Sequence, residues 1–252
     1  MLNNFSLFDS HFHIIDPRYP LVPNNGYLPT AYTVNDYLER MKAYHLIGGA
    51  IVSGSFQAFD QQYLLAALKA LGKGFVGVTQ VPATITDDEL AKLNKAGVSA
   101  VRFNLKRGGS EDVKHLKSMA QRVYTLFGWH IELYIDASKL SELRTTISAL
   151  PAVSIDHLGL SKSGLPDIRL LLEQDIKLKV CGFGRVDFDV KQILPKLHAI
   201  NPSSLMFGSD LPSTRAPVGY RDSDFNLVMN ALNDEQACSA VFSQNALNFY
   251  RI

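Results

Sequence analysis

Two histidines, His11 and His13, stand two residues apart in the segment Phe8-Asp9-Ser10-His11-Phe12-His13. The run leading into them is apolar, with Phe5, Leu7 and Phe8, and reads as a β-strand. Residues two apart on a strand face the same way. Both imidazoles therefore point to one side, where they could hold one metal ion or one polar group of a substrate. Taken alone, an H-x-H pair is more often two strand histidines in ordinary hydrogen bonds. The rest of the chain supplies a context that changes this balance.

That context is a regular alternation of elements. Short β-branched runs at 6–13, 47–53, 74–81, 98–105, 130–136, 152–158, 176–183 and 204–210 read as strands. They start about 28 residues apart on average, a comfortable length for one βα unit. Between them lie helical patterns at 60–71, 87–96, 111–127, 139–149, 166–174, 189–199, 222–232 and 234–249. Thr33-Val34-Asn35-Asp36 and Thr86-Asp87-Asp88-Glu89 read as helix starts, the second as a capping box. Gly72 and Gly97 follow helical stretches, where a left-handed residue is wanted. The longest irregular piece, 14–32, carries four prolines and follows the H-x-H strand, where a loop could cover a site. No composition break divides the chain, and no G-x-G-x-x-G follows a strand. The pattern predicts one α/β domain over 1–252, a (β/α)8 barrel in which segments 6–13 and 204–210 must be hydrogen-bonded neighbours.

In such a barrel the working side chains sit at the C-terminal ends of the strands. The first strand offers His11 and His13. The fourth offers Arg102 and Asn104 on one face, and the fifth Glu132, Tyr134 and Asp136. The sixth offers His157, with Asp156 of opposite parity expected to face the helices and cap a loop. The seventh offers Lys179, with Arg185 just beyond; the eighth offers Asp210, with Arg215 in the next loop. Lys179 and Glu132, both mid-strand, are equally readable as a structural ion pair and as reactive groups. Tyr134 could pack with its hydroxyl satisfied. Asp210, after Phe207-Gly208-Ser209 and close before a proline, is badly placed for core packing and has the strongest case for chemistry.

Composition excludes other classes. The chain has 252 residues, 46% of them hydrophobic, and a formal net charge of +1, which gives no footing for nucleic acid or an anionic membrane surface. No apolar run approaches a membrane span, and Met1-Leu2-Asn3-Asn4-Phe5 lacks the pattern of a signal peptide. Two cysteines, Cys181 and Cys238, in no metal-type spacing, fit a reducing compartment. The expectation is a cytoplasmic protein with a small-molecule substrate; oligomeric state is not legible.

Taken in order, Phe8–His13, Val101-Arg102-Phe103-Asn104, Asp156-His157-Leu158-Gly159 and Phe207-Gly208-Ser209-Asp210-Leu211-Pro212 resemble the amidohydrolase superfamily. The resemblance is to its lactonase branch, which includes 2-pyrone-4,6-dicarboxylate lactonases and sugar-lactone lactonases. It implies a distorted (β/α)8 barrel. It implies that Asp210 activates the attacking water, and that His11, His13 and His157 meet the substrate carbonyl or, with Asp210, a divalent ion. It also implies arginines that clamp carboxylates, for which Arg102 and Arg185 are the candidates; Tyr134 and Lys179 are further candidate substrate contacts from their strand positions. Metal-using relatives often place a histidine at the end of strand five, where this chain has Tyr134, and no carbamylated-lysine bridge is evident. That departure favours no required cofactor, or one modestly bound Zn or Mn ion, over a two-metal centre.

The expected activity is hydrolysis of a small anionic lactone or related carboxylic ester, with Asp210 as general base. A second reading is metal-dependent decarboxylation, or amidohydrolase chemistry, on an aromatic or muconate-type acid. A third is a non-catalytic, ligand-binding barrel.

Overall fold

A computed structural model of the chain describes residues 4–252; of the segment Met1–Phe5 that carries the leader reading, Met1–Asn3 lie outside the described residues. Eight strands form one parallel sheet in chain order. They are β1 (Ser6–Phe12), β2 (His45–Val52), β3 (Phe75–Thr79), β4 (Val98–Asn104), β5 (His130–Tyr134), β6 (Val153–Ile155), β7 (Lys177–Val180) and β8 (Leu205–Phe207). Helices α1 (Val34–Met41), α2 (Gln62–Leu71), α3 (Asp87–Lys95), α4 (Leu116–Phe127), α5 (Leu140–Ser148), α6 (Leu165–Leu172), α7 (Val190–Ile200) and α8 (Asp222–Leu232) follow the strands in turn. This is the (β/α)8 barrel that the alternation predicts.

Local chemistry explains the elements. Thr33 and Thr86 both form capping boxes, the first with Asp36 at the third helical position and the second with Glu89. Gly72 and Gly97 have φ of 77° and 98°, as required where a helix gives way to a strand. The segment expected as one helix over 234–249 divides into α9 (Glu235–Ser239) and α10 (Asn245–Tyr250), joined by a π-helical stretch at Ala240–Gln244. Strands β6, β7 and β8 end three residues earlier than their apolar runs suggest. The cause is left-handed backbone just past them, at His157 (φ 51°), Gly182 (φ 65°) and Asp210 (φ 58°).

The interior is layered. Phe8, Val78, Ala100, Met206 and Tyr250 fill the apolar base. Above them sit the buried ions Glu132, Lys179, Arg102 and Asp156. The strand register slips between Asp9 and Phe12. This bulge lets Phe8 face the base while His11 and His13 also face inward, higher up. Phe12 points outward and stacks on Tyr37 of α1, ring centroids 3.8 Å apart. Helix α10 returns beneath the barrel, and the Tyr250 hydroxyl donates to Glu132 Oε1 at 2.5 Å.

The seam between β8 and β1 carries the distortion. Asp210 N–H donates to His11 O and His13 N–H to Leu211 O, both at 2.7 Å, just beyond the end of β8. Asp9 clasps Ser209 across the seam, accepting from its N–H at 2.8 Å and its hydroxyl at 2.6 Å. The fit is close: a Cβ on Gly208 would lie 2.8 Å from His11 N. Burial pushes the Asp9 carboxyl up to about 6, against the pull of these hydrogen bonds. A carboxyl raised in the folded state favours folding while protonated, and that contribution is lost as pH rises from about 4 through 6. Wild type should therefore lose stability relative to Asp9→Asn over that window, by up to about 3 kcal/mol. Urea unfolding of both proteins across the window measures this; a constant difference would remove Asp9 as the titrating group.

Candidate active site

Strands β1, β5, β6 and β8 bring His11 and His13, Tyr134, His157 and Asp210 together at one mouth. His11 is fully buried, its Nε2 lies 3.9 Å from Asp210 Oδ1, and His13 Nε2 lies 3.7 Å from the same oxygen. The rings of His11 and His157 are 4.7 Å apart, and those of His157 and Tyr134 are 4.9 Å apart. The four residues expected to do the chemistry thus stand together. Neither His11 Nε2 nor Asp210 Oδ1 has a hydrogen-bond partner, although both are buried. Buried polar atoms of this kind are expected to meet a ligand or a water.

The histidines differ in what they offer. His13 Nδ1 is 2.7 Å from the carbonyl of Val52, which can only accept, so the Nδ1 proton belongs there. In its neutral form His13 then presents a bare Nε2, an acceptor rather than the oxyanion donor expected. His157 Nδ1 lies 3.2 Å from Cys181 Sγ. Burial pushes the Cys181 thiol well up, so it remains protonated. Burial also holds His11 and His157 well below the ordinary imidazole range, hence neutral.

Asp210 is paired on one side only. Arg185 Nε donates to its Oδ2 at 2.7 Å, and Arg185 Nη2 to the carbonyl of Thr214 at 2.8 Å. Burial alone would raise the Asp210 carboxyl; the Arg185 guanidinium instead holds it well below the usual range. It is therefore ionised, with Oδ1 buried and left without a hydrogen-bond partner.

Asp156 corrects one expectation, and Arg102 has a buried partner that the sequence did not show. Asp156 does not face the helices. The left-handed turn that begins at His157 breaks strand parity, so both residues point inward. Arg102 donates to Asp156 Oδ2 from Nε at 3.1 Å and Nη2 at 2.8 Å, and to the carbonyl of Ser53 from Nη1 at 2.9 Å. Its charge is thus matched inside the barrel, while two of its five N–H groups are unspent and the residue also lines the cleft. Asp136 lies beyond the end of β5, where it caps the next turn through Ser138 and bonds Lys106 at 2.7 Å. Lys179 contacts Glu132 directly, both fully buried, and stands beneath His11 rather than at the cleft wall.

Above this floor opens a narrow cleft, walled by Arg102, Arg107, Tyr134, Arg185 and Arg215 and floored by His13 and His157. Arg215 is anchored by Asn24 of the 14–32 loop at 3.0 Å, so that loop forms part of the rim. Arg107 has no side-chain hydrogen bond among the described residues. Its positive charge also depresses Arg215, after burial. Sequence reasoning did not single out Arg107. Its position in a turn after β4, bonded through its backbone to Asn104 Oδ1 at 2.9 Å, gave no strand-end signal.

The donors suit one divalent ion by type: His11, His157 and Asp210 offer atoms within 4.8 Å of one another. The same span holds for His11, Glu132 and Asp156, but there the Lys179 ammonium lies among them, in contact with Glu132, 3.4 Å from His11 Nδ1 and 3.8 Å from Asp156 Oδ1.

Eight parallel strands with histidines and an ionised aspartate at the C-terminal mouth define a (β/α)8 barrel built as an enzyme. The chain belongs to the amidohydrolase family, whose profile matches residues 8–252. It is 33% identical over 162 residues to a 2-pyrone-4,6-dicarboxylate hydrolase of Comamonas testosteroni, covering 60% of this chain and 51% of that protein. The chain thus matches about half the length of that relative. It is 22% identical over 265 residues to a D-galactarolactone isomerase of Agrobacterium fabrum, covering 97% of this chain and 90% of that one. A solved structure of a probable 2-pyrone-4,6-dicarboxylic acid hydrolase from Acinetobacter baumannii, with citric acid bound, superposes with a TM-score of 0.85 at 21% identity, over 98% and 99% of the two chains. No helix among the described residues is long and apolar enough to cross a membrane.

Proposed function

We propose that this chain, as one domain over 1–252, hydrolyses a small lactone bearing one or more carboxylates, with Asp210 as general base. The observation that carries the reading is the buried, ionised and half-paired Asp210. Its free Oδ1 lies between His11 Nε2 at 3.9 Å and His13 Nε2 at 3.7 Å. A water lodged there can donate one hydrogen to Oδ1 and the other to the bare His13 Nε2, leaving its lone pair for the lactone carbonyl. Donors preset for the developing oxyanion are each worth on the order of 10²–10³ in rate, and His11 and His157 border that position. Both named relatives act on lactones or their like, and the arginine-lined wall suits an anion.

A Zn or Mn ion, when bound, would be held by His11, His157 and Asp210 and would polarise the same carbonyl. Arg185 on Asp210 and Lys179 beside His11 set two positive charges against a tightly held ion. They likewise weaken the decarboxylation reading, which needs a firm metal. Two buried, unpaired cysteines support a cytoplasmic setting.

The test is a panel of carboxylated lactones, pyrone and sugar-derived, followed by acid release in the presence and absence of chelator. Release of one acid per lactone with chelator present is expected. Isomerised lactone without acid release, or release of carbon dioxide, would overturn hydrolysis. Arg107→Met should raise KM about 10- to 100-fold for carboxylated lactones and leave kcat and Tm nearly unchanged, since it removes a charge-assisted contact present in ground and transition states alike. A KM within twofold of wild type would take Arg107 out of substrate binding.

A further inference from the structure

We propose that Lys179 is a positioning residue for His11: by donating to Nδ1 it keeps the imidazole proton on Nε2 and makes His11 a hydrogen-bond donor on the side of Asp210. This rests on the lactonase reading for its catalytic meaning, but the geometry stands without it. Lys179 Nζ is fully buried and carries three N–H donors. One is spent on Glu132 Oε2, which it contacts directly. Glu132 is in turn fixed by His130 Nε2 at 3.2 Å and by the Tyr250 hydroxyl at 2.5 Å. The ammonium is therefore held in place from below, with His11 Nδ1 above it at 3.4 Å. An ammonium can only donate, so Nδ1 must be the accepting nitrogen.

The rival is an Nδ1 proton shared with Asp156 Oδ1, 3.3 Å away. Asp156 Oδ1 has no hydrogen-bond partner despite that distance, so the ring does not aim an N–H at it. The far side of the ring agrees. His11 Nε2 faces Asp210 Oδ1, a carboxylate oxygen that can only accept. The Nδ1 side thus favours the Nε2 proton, and the Nε2 side, 3.9 Å from that oxygen and unbonded, is compatible with it. His13 is fixed the other way round, with its proton on Nδ1 toward Val52 O. The H-x-H pair is therefore split: one imidazole donates to the reacting carbonyl and its neighbour accepts from the water. With its Nε2 lone pair unavailable, His11 is also a poor metal ligand, and the ammonium occupies the His11–Glu132–Asp156 cage that a second ion would need.

The experiment is long-range ¹H–¹⁵N correlation on ¹⁵N-histidine-labelled full-length protein at neutral pH with chelator, His11 being assigned through His11→Gln. Expected is a pyridine-type Nδ1 and a pyrrole-type Nε2 for His11, and the reverse for His13. In Lys179→Met/Glu132→Gln, which removes both charges together so that neither is left buried alone, the two His11 resonances should exchange ranges, with Nδ1–H turning to Asp156. Zinc binding by calorimetry should tighten about 10- to 100-fold in the same variant. A wild-type His11 protonated on Nδ1 overturns the proposal, and that spectrum needs no variant to fold. A folded double variant whose His11 keeps the Nε2 proton overturns the part given to Lys179. Absence of lactone hydrolysis with the expected wild-type spectrum would count against the lactonase reading alone.

Discussion

Asp210→Asn is expected to lower kcat for lactone hydrolysis by about 10²- to 10⁴-fold, the usual contribution of a positioned general base. The substitution is mild for the backbone. Asp210 sits at φ 58°, a left-handed position that Asn tolerates as well as Asp. The amide oxygen can still accept from Arg185 Nε, which now reaches Oδ2 at 2.7 Å. The amino group then takes the place of Oδ1, opposite His13 Nε2 at 3.7 Å. It can donate to that nitrogen but cannot take a proton from water. Arg185 loses its counter-charge, so a stability loss of about 1–3 kcal/mol accompanies the change. Steady-state kinetics on the best lactone of the panel, with Tm measured in parallel, separate the two effects. A folded Asp210→Asn enzyme with near-normal kcat would remove Asp210 as the base.

Arg102→Met should act chiefly on stability. From the sequence, Arg102 reads as a carboxylate clamp whose loss would raise KM. In the barrel its guanidinium is committed to Asp156 Oδ2 and Ser53 O, and only 3% of the residue is exposed. Removing it leaves a buried carboxylate whose remaining cation, Lys179, is 3.8 Å from Oδ1 and already shared with Glu132. Breaking one side of a buried pair costs about 3–5 kcal/mol, a large part of the roughly 5–15 kcal/mol that holds a typical domain. At about 2–4 °C per kcal/mol, Tm should fall by roughly 6–20 °C. Arg102→Met/Asp156→Leu, which removes both charges, should recover most of that loss. An Arg102→Met protein melting with wild type would mean that Asp156 is not held ionised by Arg102.

The two cases show which parts of the molecule sequence reasoning reaches. The barrel is legible because each βα unit repeats a local pattern, and His11 with His13 because strand parity is local. Asp210 is legible as a carboxylate with no place in a core. What parity cannot supply is backbone that leaves the strand. The left-handed turn at His157 brings Asp156 to the interior against its expected face, and the bulge before Phe12 sets Phe8 and His11 on the same side. Nor can it supply partners far apart in the chain. Arg185 on Asp210, Arg102 on Asp156 and Tyr250 on Glu132 are pairings of shape, made only when the strands curl together. The ion pair of Glu132 and Lys179 lies between these cases: its members are visible as mid-strand charges, but not their contact.

The seam has a consequence for how the enzyme comes to exist. Each strand pairs with the next in the chain, so seven of the eight junctions close short loops. The eighth joins Asp9 to Ser209 and His11 to Asp210, across about 200 residues, where the entropy of loop closure is greatest. His11 and His13 stand on one lip of that seam and Asp210 on the other. A barrel with every ladder formed but its first and last strands apart holds most of its hydrogen bonds and none of its chemistry. Recovery of activity on refolding is therefore expected to report the final closure of the sheet, which brings the two halves of the proposed site together.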